Sequence, residues 1–278
     1  MPDKIDFEAC DPRSKAGFED KHDAQKLLAA DIERLAALHD VFATQTQHAL
    51  LIVLQAMDTA GKDGIVKHVM CGLNPQGVNV YGFRKPTEEE ELHDFLWREN
   101  KVLPARGRIA IFNRSYYEEV LVVRVEQDLL KDEGATGGPR LWEHRYQDIN
   151  AFERHLTRCG TIVLKFFLHL SKEEQRKRLL ARLETPDKMW KASDADLAGH
   201  AKWDAYAHAY GQMLEHTNTE WAPWHVIPGD RKWVSRALVG RIVVETLESL
   251  NLKYPEPSPE RRKRYGELAA QLKAEVSP

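Results

Sequence analysis

The chain has 278 residues, with 40 Lys and Arg against 43 Asp and Glu, for a formal net charge of −3. Hydrophobic residues are 42% and charged residues 30%, a balance that excludes disordered, collagen-like and membrane-spanning classes and argues against non-specific coating of nucleic acid. Three scattered cysteines, Cys10, Cys71 and Cys159, argue against a disulfide framework or a zinc site, and no apolar signal core follows the first fifteen residues, so a cytoplasmic protein is expected.

Residues 1–16 show no periodicity and read as an irregular arm. Leu27, Leu28, Ile32, Leu35, Leu38 and Val41 recur at helical spacing and predict a helix within 17–46. Ala49 to Leu54 is an unbroken apolar run, far too short to span a bilayer but suited to a strand buried on both faces. A glycine-containing loop, Asp58 to Gly64, follows it, and Ile65 to Met70 continue as a helix. Further strands are expected at Val78–Phe83, Arg108–Phe112, Thr161–Leu168 and Trp224–Pro228. Helices are expected over 87–101, opened by Thr87 as N-cap with acids at 88–91, and over 140–159, 171–184, 203–221 and 232–251.

Strands alternating with helices imply an α/β fold, a parallel sheet flanked by helices on both faces. Thr185-Pro186-Asp187 breaks the helical pattern, and the polar excursion that follows suggests a lid over about 178–202. The organisation is therefore an arm (1–16), one domain (17–252) and a charged tail (253–278). The tail's Arg261-Arg262-Lys263-Arg264 run reads as a solvated, partly helical face, although it could bind polyanions.

The strongest local signal is Asp58-Thr59-Ala60-Gly61-Lys62-Asp63-Gly64. A phosphate-cradling loop needs a tight turn that aims backbone N–H groups inward, a helix starting there, and a lysine reaching the outer phosphates. Ala60, Gly61, Lys62, Asp63 and Gly64 supply these elements. The match to the Walker A pattern G-x-x-x-x-G-K-[ST] is imperfect: Ala56 replaces the first glycine and Asp63 the magnesium-binding hydroxyl. Asp58 adds a carboxylate, a hard oxygen ligand suited to Mg²⁺ or able to orient a nucleophile.

Ligands of open α/β sheets bind beyond the carboxyl ends of the strands. Asn113 and Arg114, at the end of the third expected strand, would stand beside the loop, where an arginine can fork onto phosphate oxygens. Arg84 and Lys85, after the second strand, fit another anionic ligand. Arg178 and Arg182 share a helix face next to the expected lid, and lids exclude water. The twelve histidines form no ligand pattern.

Four stretches in this order resemble the polyphosphate kinase 2 family: the 58–64 loop, Asn74-Pro75-Gln76-Gly77, Phe112-Asn113-Arg114-Ser115-Tyr116-Tyr117-Glu118-Glu119-Val120, and Lys188-Met189-Trp190-Lys191. The resemblance runs from about residue 17 to 250. It implies a P-loop kinase fold similar to thymidylate kinase with a helical lid, and reversible phosphoryl transfer between inorganic polyphosphate and a nucleotide, assisted by Mg²⁺ or by Mn²⁺ in its place. By motif, Asp58, Lys62, Arg114 and Arg178 match the family's catalytic residues. Asn113 and Tyr116 replace the Asp and Trp of many members that act on diphosphates and resemble the subgroup accepting both AMP and ADP, with ATP as product.

Arg84, Lys85, Asn113 and Arg114 are then the nucleotide-binding candidates, with Ala60 to Gly64, Arg114, Arg178 and Arg182 for phosphate. Because a neutral amide binds Mg²⁺ less well than a carboxylate, Asp58 with Glu118 or Glu119 would carry the metal. Arg178 would clamp the transferring group after lid closure. The resemblance also implies a homo-oligomer, dimer or tetramer, with the helix at 17–46 as a candidate interface, and no nucleic-acid or membrane partner. Two alternatives stand beside this reading: an ATP-dependent nucleoside monophosphate kinase on the same scaffold, and a non-catalytic polyanion-binding protein.

Overall fold

The computed structural model describes residues 5–7, 9–132, 138 and 140–275. Five parallel strands, β1 (Ala49–Gln55), β2 (Val78–Gly82), β3 (Ile109–Asn113), β4 (Thr161–His169) and β5 (Trp224–Pro228), form one sheet in the order β2-β3-β1-β4-β5. The helices are α1 (Lys21–Phe42), α2 (Lys62–Val69), α3 (Glu88–Glu91), α4 (Trp97–Asn100), α5 (Glu118–Val125), α6 (Leu129–Asp132), α7 (Leu141–Arg158), α8 (Lys172–Glu184), α9 (Pro186–Met189), α10 (Asp194–Ala201), α11 (Trp203–Thr217), α12 (Lys232–Ser249) and α13 (Pro259–Glu275).

β1 is buried at every residue because it lies mid-sheet between two helical layers. Its side chains alternate between the layers, as the period of a strand requires. Leu50, Ile52 and Leu54 join Leu35, Phe42, Ile65, Val69, Val239 and Val243 of α1, α2 and α12 in one core. Leu51 and Val53 join Tyr116, Tyr117, Val120, Ile149, Tyr210 and Met213 on the side of α5, α7 and α11. The apolar stripe of α1 is thus spent within its own chain, against α12. The N-terminal arm has no regular element among its described residues, yet Phe7 packs its ring on Phe167 and His169, with centroids 5.8 and 4.6 Å apart.

The second core encloses a buried ionic network. Lys165 of β4 is fully buried and donates to Glu153 Oε2 (2.7 Å), the Tyr117 hydroxyl (2.9 Å) and the Thr217 carbonyl (2.8 Å). The hydroxyls of Tyr116 and Tyr117 both donate to Glu153 Oε1, at 2.9 and 2.8 Å. Every charge there is met, which is the condition for burying ions without a large penalty. The network also pins the segment that follows Arg114.

Some expected boundaries move. The helix expected over 87–101 is two single turns, α3 and α4, separated at Asp94, whose side chain accepts from the Leu96 N–H (3.0 Å) and turns the chain. Thr87 caps α3 in a reciprocal capping box with Glu90. The helix expected over 203–221 ends at Thr217, where Asn218 leaves helical geometry and its side chain caps the Trp224 N–H at 2.9 Å. The 185–202 excursion contains α9 and α10.

Glu99 of α4 is fully buried, and its Oε2 has no hydrogen-bond partner among the described residues. Burial, only partly offset by Arg98, raises its pKa from 4.5 to about 7. The native state therefore holds this proton more tightly than the unfolded chain, so stability falls as pH rises from 4.5 to 7 and is flat above. This group contributes on the order of 3 kcal/mol to that fall. Glu99→Gln is expected to become more stable relative to the parent on going from pH 4.5 to 8, read by denaturant titration at each pH. A difference that does not change with pH would contradict the assignment.

Candidate active site

The sheet's connections place the site. The chain leaves β1 toward β2 on one side and leaves β3 toward β4 on the other, so a crevice opens between the carboxyl ends of β1 and β3. Leu54 pairs with Asn113 in register, and the Arg114 N–H donates to the Leu54 carbonyl at 3.1 Å. The loop after β1 and the turn after β3 are therefore adjacent.

Gly61 caps α2 with φ +112°, a left-handed conformation costly for any residue with a Cβ. No side chain caps this helix, so the N–H groups at its start face the crevice with the positive end of the helix dipole. Two cations hold the loop's carbonyls. Lys62 Nζ curls back to donate to the Ala56 carbonyl at 2.8 Å. Arg178 of α8 donates through Nη1 to the carbonyls of Thr59 (3.1 Å) and Ala60 (3.0 Å), through Nη2 to those of Gly229 and Asp230 (2.9 Å each), and through Nε to Glu174 (2.8 Å). A trans peptide points its C=O and N–H in opposite directions, so capture of the Ala60 carbonyl by Arg178 turns the Gly61 N–H the other way.

Arg114 has φ +68°, a conformation rare for a residue with a side chain and typical of strained functional positions. Its Nη2 donates to Asp58 Oδ1 at 2.7 Å, and its Nη1 reaches Glu118 Oε2 at 3.4 Å. Glu118 and Asp58 raise the Arg114 pKa, in that order of effect against burial. Burial pushes Glu118 up while Arg114 and Lys62 pull it down. With its nitrogen facing the carboxylate, the Gln55 amide donates to Glu118 Oε1 at 2.9 Å and accepts from Ser115 Oγ at 3.1 Å. Lys62 is buried, and burial and then Arg114 lower its pKa. Asn113 Nδ2 donates to Asp63 Oδ1 at 2.7 Å, tying the end of β3 to α2.

The helices α8 and α10, around the expected lid, are tied to the same loop. Gln175 of α8 donates to the Asp58 carbonyl (3.2 Å) and meets the His200 ring of α10 (2.6 Å). Arg182, expected on phosphate, reaches Asp196 Oδ2 at 2.7 Å. Burial and the Asp58 charge raise the Asp196 pKa. Tyr206 and Tyr210 of α11 lie within reach of the charges of Glu118, Asp58 and Arg114; burial and then nearby carboxylates push the Tyr206 hydroxyl to about 12. Sequence reasoning missed these two tyrosines and Gln175; the i, i+4 spacing of the tyrosines on an expected helix was their only signal. Arg84 and Lys85 are exposed beyond β2, and the Arg84 carbonyl accepts from Arg98.

The structure thus brings Asp58, Lys62, Asp63, Asn113, Arg114, Glu118 and Arg178 together. Among the described residues no group of three or more His, Cys, Asp or Glu could hold a metal ion by itself. Asp58 is partly exposed and its Oδ2 accepts from no described residue. One such carboxylate with substrate phosphates fits the way Mg²⁺ is bound at phosphoryl-transfer sites. Glu118, with both oxygens engaged by Gln55 and Arg114, is placed behind it.

A parallel sheet with this loop, the second arginine and a helical lid defines a P-loop kinase fold. The sequence profile of polyphosphate kinase 2 matches residues 18–255. An ADP-polyphosphate phosphotransferase of Rhodopseudomonas palustris is 46% identical over 274 residues, covering 97% of this chain and 95% of the relative. An AMP/ADP-polyphosphate phosphotransferase of Meiothermus ruber is 44% identical over 259 residues, 92% of this chain and 94% of the relative. The crystal structure of polyphosphate kinase 2 from Arthrobacter aurescens superposes with a TM-score of 0.88 at 42% identity, covering 96% of this chain and 94% of that one. The chain belongs to the polyphosphate kinase 2 family and is a kinase-type phosphotransferase.

Arg178→Lys is a sharp test of the loop's construction, because an ammonium cannot fan out to four carbonyls and a carboxylate as a guanidinium does. The variant is expected to lose about 1–3 kcal/mol of unfolding free energy, read by denaturant titration. An unchanged midpoint would show that these bonds do not shape the loop.

Proposed function

We propose that the chain transfers a phosphoryl group reversibly between inorganic polyphosphate and adenine nucleotides, converting AMP to ADP and ADP to ATP, with Asp58, Lys62, Arg114 and Arg178 as its central residues. The observation that carries this is the pairing of Arg114 with Asp58 across the crevice, beside the uncapped start of α2. Positive groups from two strand ends converge there, as a reaction between two anions requires. Phosphoryl transfer asks mainly for positioning and charge stabilisation.

In this reading the reacting end of polyphosphate lies on the N–H groups of Gly61 to Gly64 and on Lys62, with Ala60 setting the turn. The nucleotide phosphate lies on Arg114, with Asn113 beside it and Arg84 and Lys85 toward the rest of the nucleotide. Arg114 contacts both reactants and draws charge from the equatorial oxygens as it builds. Asp58 aims that arginine and holds Mg²⁺, or Mn²⁺ in its place, with Glu118 as a further anchor. The metal, when bound, neutralises charge on the phosphate oxygens. Arg178 acts through the loop it holds, and Arg182 through the Asp196 contact that keeps the lid helices together. The acceptor phosphate is already an anion, so no strong general base is needed.

Asn113 and Tyr116 support acceptance of both AMP and ADP, and the Meiothermus ruber relative is an AMP/ADP-polyphosphate phosphotransferase. The three free cysteines support a reducing, cytoplasmic setting. No described helix is long and apolar enough to cross a membrane. Association into dimers or tetramers is part of the same reading.

Incubation with polyphosphate, Mg²⁺ and AMP or ADP, followed by separation of the nucleotides, tests the assignment. The parent is expected to form ADP and ATP, and Lys62→Ala to lose at least a hundredfold in turnover while keeping the parent's circular dichroism spectrum. Near-normal turnover in that variant would contradict the loop assignment. Asn113→Asp places a second carboxylate where the amide now donates to Asp63 Oδ1 at 2.7 Å. Like charges so close favour a cation between them, so the Mg²⁺ concentration for half-maximal rate is expected to shift severalfold. Superimposable Mg²⁺ titrations would remove Asn113 from this role.

A further inference from the structure

The N-terminal arm supplies no side chain to the site just described, yet it grips the turn that holds Arg178. Asp11-Pro12-Arg13-Ser14 is a β-turn: the Ser14 N–H donates to the Asp11 carbonyl at 3.2 Å and the Arg13 N–H to Asp11 Oδ1 at 2.9 Å. Asp at the first position and Pro at the second favour such a turn, because the carboxylate binds its own backbone two residues on and the ring presets φ. These bonds use neither the Pro12 nor the Arg13 carbonyl. The Pro12 carbonyl accepts from the Asp230 N–H at 3.1 Å, and the Arg13 carbonyl accepts from Arg231 Nη1.

The Gly229–Asp230 peptide is thus held from both sides. Its N–H donates to Pro12, and its C=O accepts from Arg178 Nη2 at 2.9 Å. These two groups point in opposite directions in a trans peptide, so the arm sets the tilt at which the Gly229 carbonyl meets the guanidinium. Asp230 joins the same point to α8: its carboxylate accepts from the Ser171 N–H (2.8 Å) and hydroxyl (2.7 Å), and Ser171 caps the helix that carries Arg178. Arg13 adds an ion pair with Glu173 at 2.7 Å, but an exposed pair contributes little. The arm is tethered on both flanks of the turn, by Phe7 on Phe167 and His169 and by Phe18 on Trp233 of α12, with centroids 6.3 Å apart in the last pair.

We propose that the Asp11–Ser14 turn is a positioning element for the phosphate-binding loop. By fixing the Gly229–Asp230 peptide it fixes Arg178, and Arg178 fixes the Thr59 and Ala60 carbonyls and with them the aim of the Gly61 N–H. The arm acts on the reactants only through this relay. Its effect on rate rests on phosphoryl transfer at that loop, whereas its effect on the loop itself does not. A donor that is misaimed loses stabilisation where charge builds, so kcat falls. The nucleotide phosphate, on Arg114, does not depend on the arm.

The test uses two variants: a chain lacking residues 1–13, and the full chain carrying Asp11→Ala/Pro12→Gly, which breaks the turn and removes no core side chain. The second decides where the first fails to fold. Amide hydrogen exchange read by mass spectrometry is expected to quicken about fivefold or more over residues 57–64, while β1 exchanges as in the parent. Turnover is expected to fall about fivefold or more, with the KM for ADP within about twofold of the parent. Parental exchange in the loop would overturn the relay. Faster exchange throughout, β1 included, would make the arm a prop for the whole fold and overturn it equally, as would parental turnover in a variant whose loop exchanges faster. A parent that transfers no phosphoryl group would overturn the assigned reaction, and the exchange measurement would still decide the relay.

Discussion

Three cations meet at the ends of two neighbouring strands, and the architecture of the crevice follows from keeping them there. Lys62 and Arg114 repel one another, and burial strengthens that repulsion. Each is retained by acceptors of the right geometry: Lys62 by the Ala56 carbonyl, Arg114 by Asp58 and Glu118, Arg178 by four carbonyls and Glu174. The same bonds decide which way the loop faces. The Ala60 carbonyl held by Arg178 leaves the Gly61 N–H aimed the other way, where a helix start adds its dipole. Charge retention and anion binding are two sides of one set of peptide planes.

The two departures from the Walker A pattern fit this construction. Ala56 is tolerated because the loop meets Lys62 there through its carbonyl, which a methyl group does not block. Asp63 binds Asn113 and so couples the loop to the end of β3. The buried Lys165–Glu153–Tyr117 network fixes the chain just after Arg114, which helps hold a residue in a left-handed conformation that it would not adopt unaided. The lid is wired to the same loop through Gln175 and the Asp58 carbonyl, so a movement of α8 or α10 reaches the carboxylate that orients Arg114.

Much of this was readable from the chain itself. A buried apolar run followed by Gly61-Lys62 announced β1, the loop and α2, because a mid-sheet strand must be apolar on both faces. The β5 boundaries matched, since Trp224 and Pro228 bracket a short apolar stretch. The break between α3 and α4 was hidden because Asp94 turns the chain into α4 through a side-chain bond that periodicity does not reveal. Arg178 stood out in the sequence but its partners did not; four carbonyl acceptors from two loops distant in sequence exist only once the sheet is assembled. Tyr206 and Tyr210 were not singled out for the same reason. Their place depends on how α11 lies across the sheet.

The most direct measurement is a crystal structure of the chain with AMP and a hydrolysis-resistant imido analogue of polyphosphate. The account predicts analogue phosphates within hydrogen-bond distance of the Gly61 to Gly64 amides and Lys62, the AMP phosphate on Arg114, and the two in line. Phosphates bound away from the Gly61 turn, or an Arg114 that touches neither reactant, would contradict it.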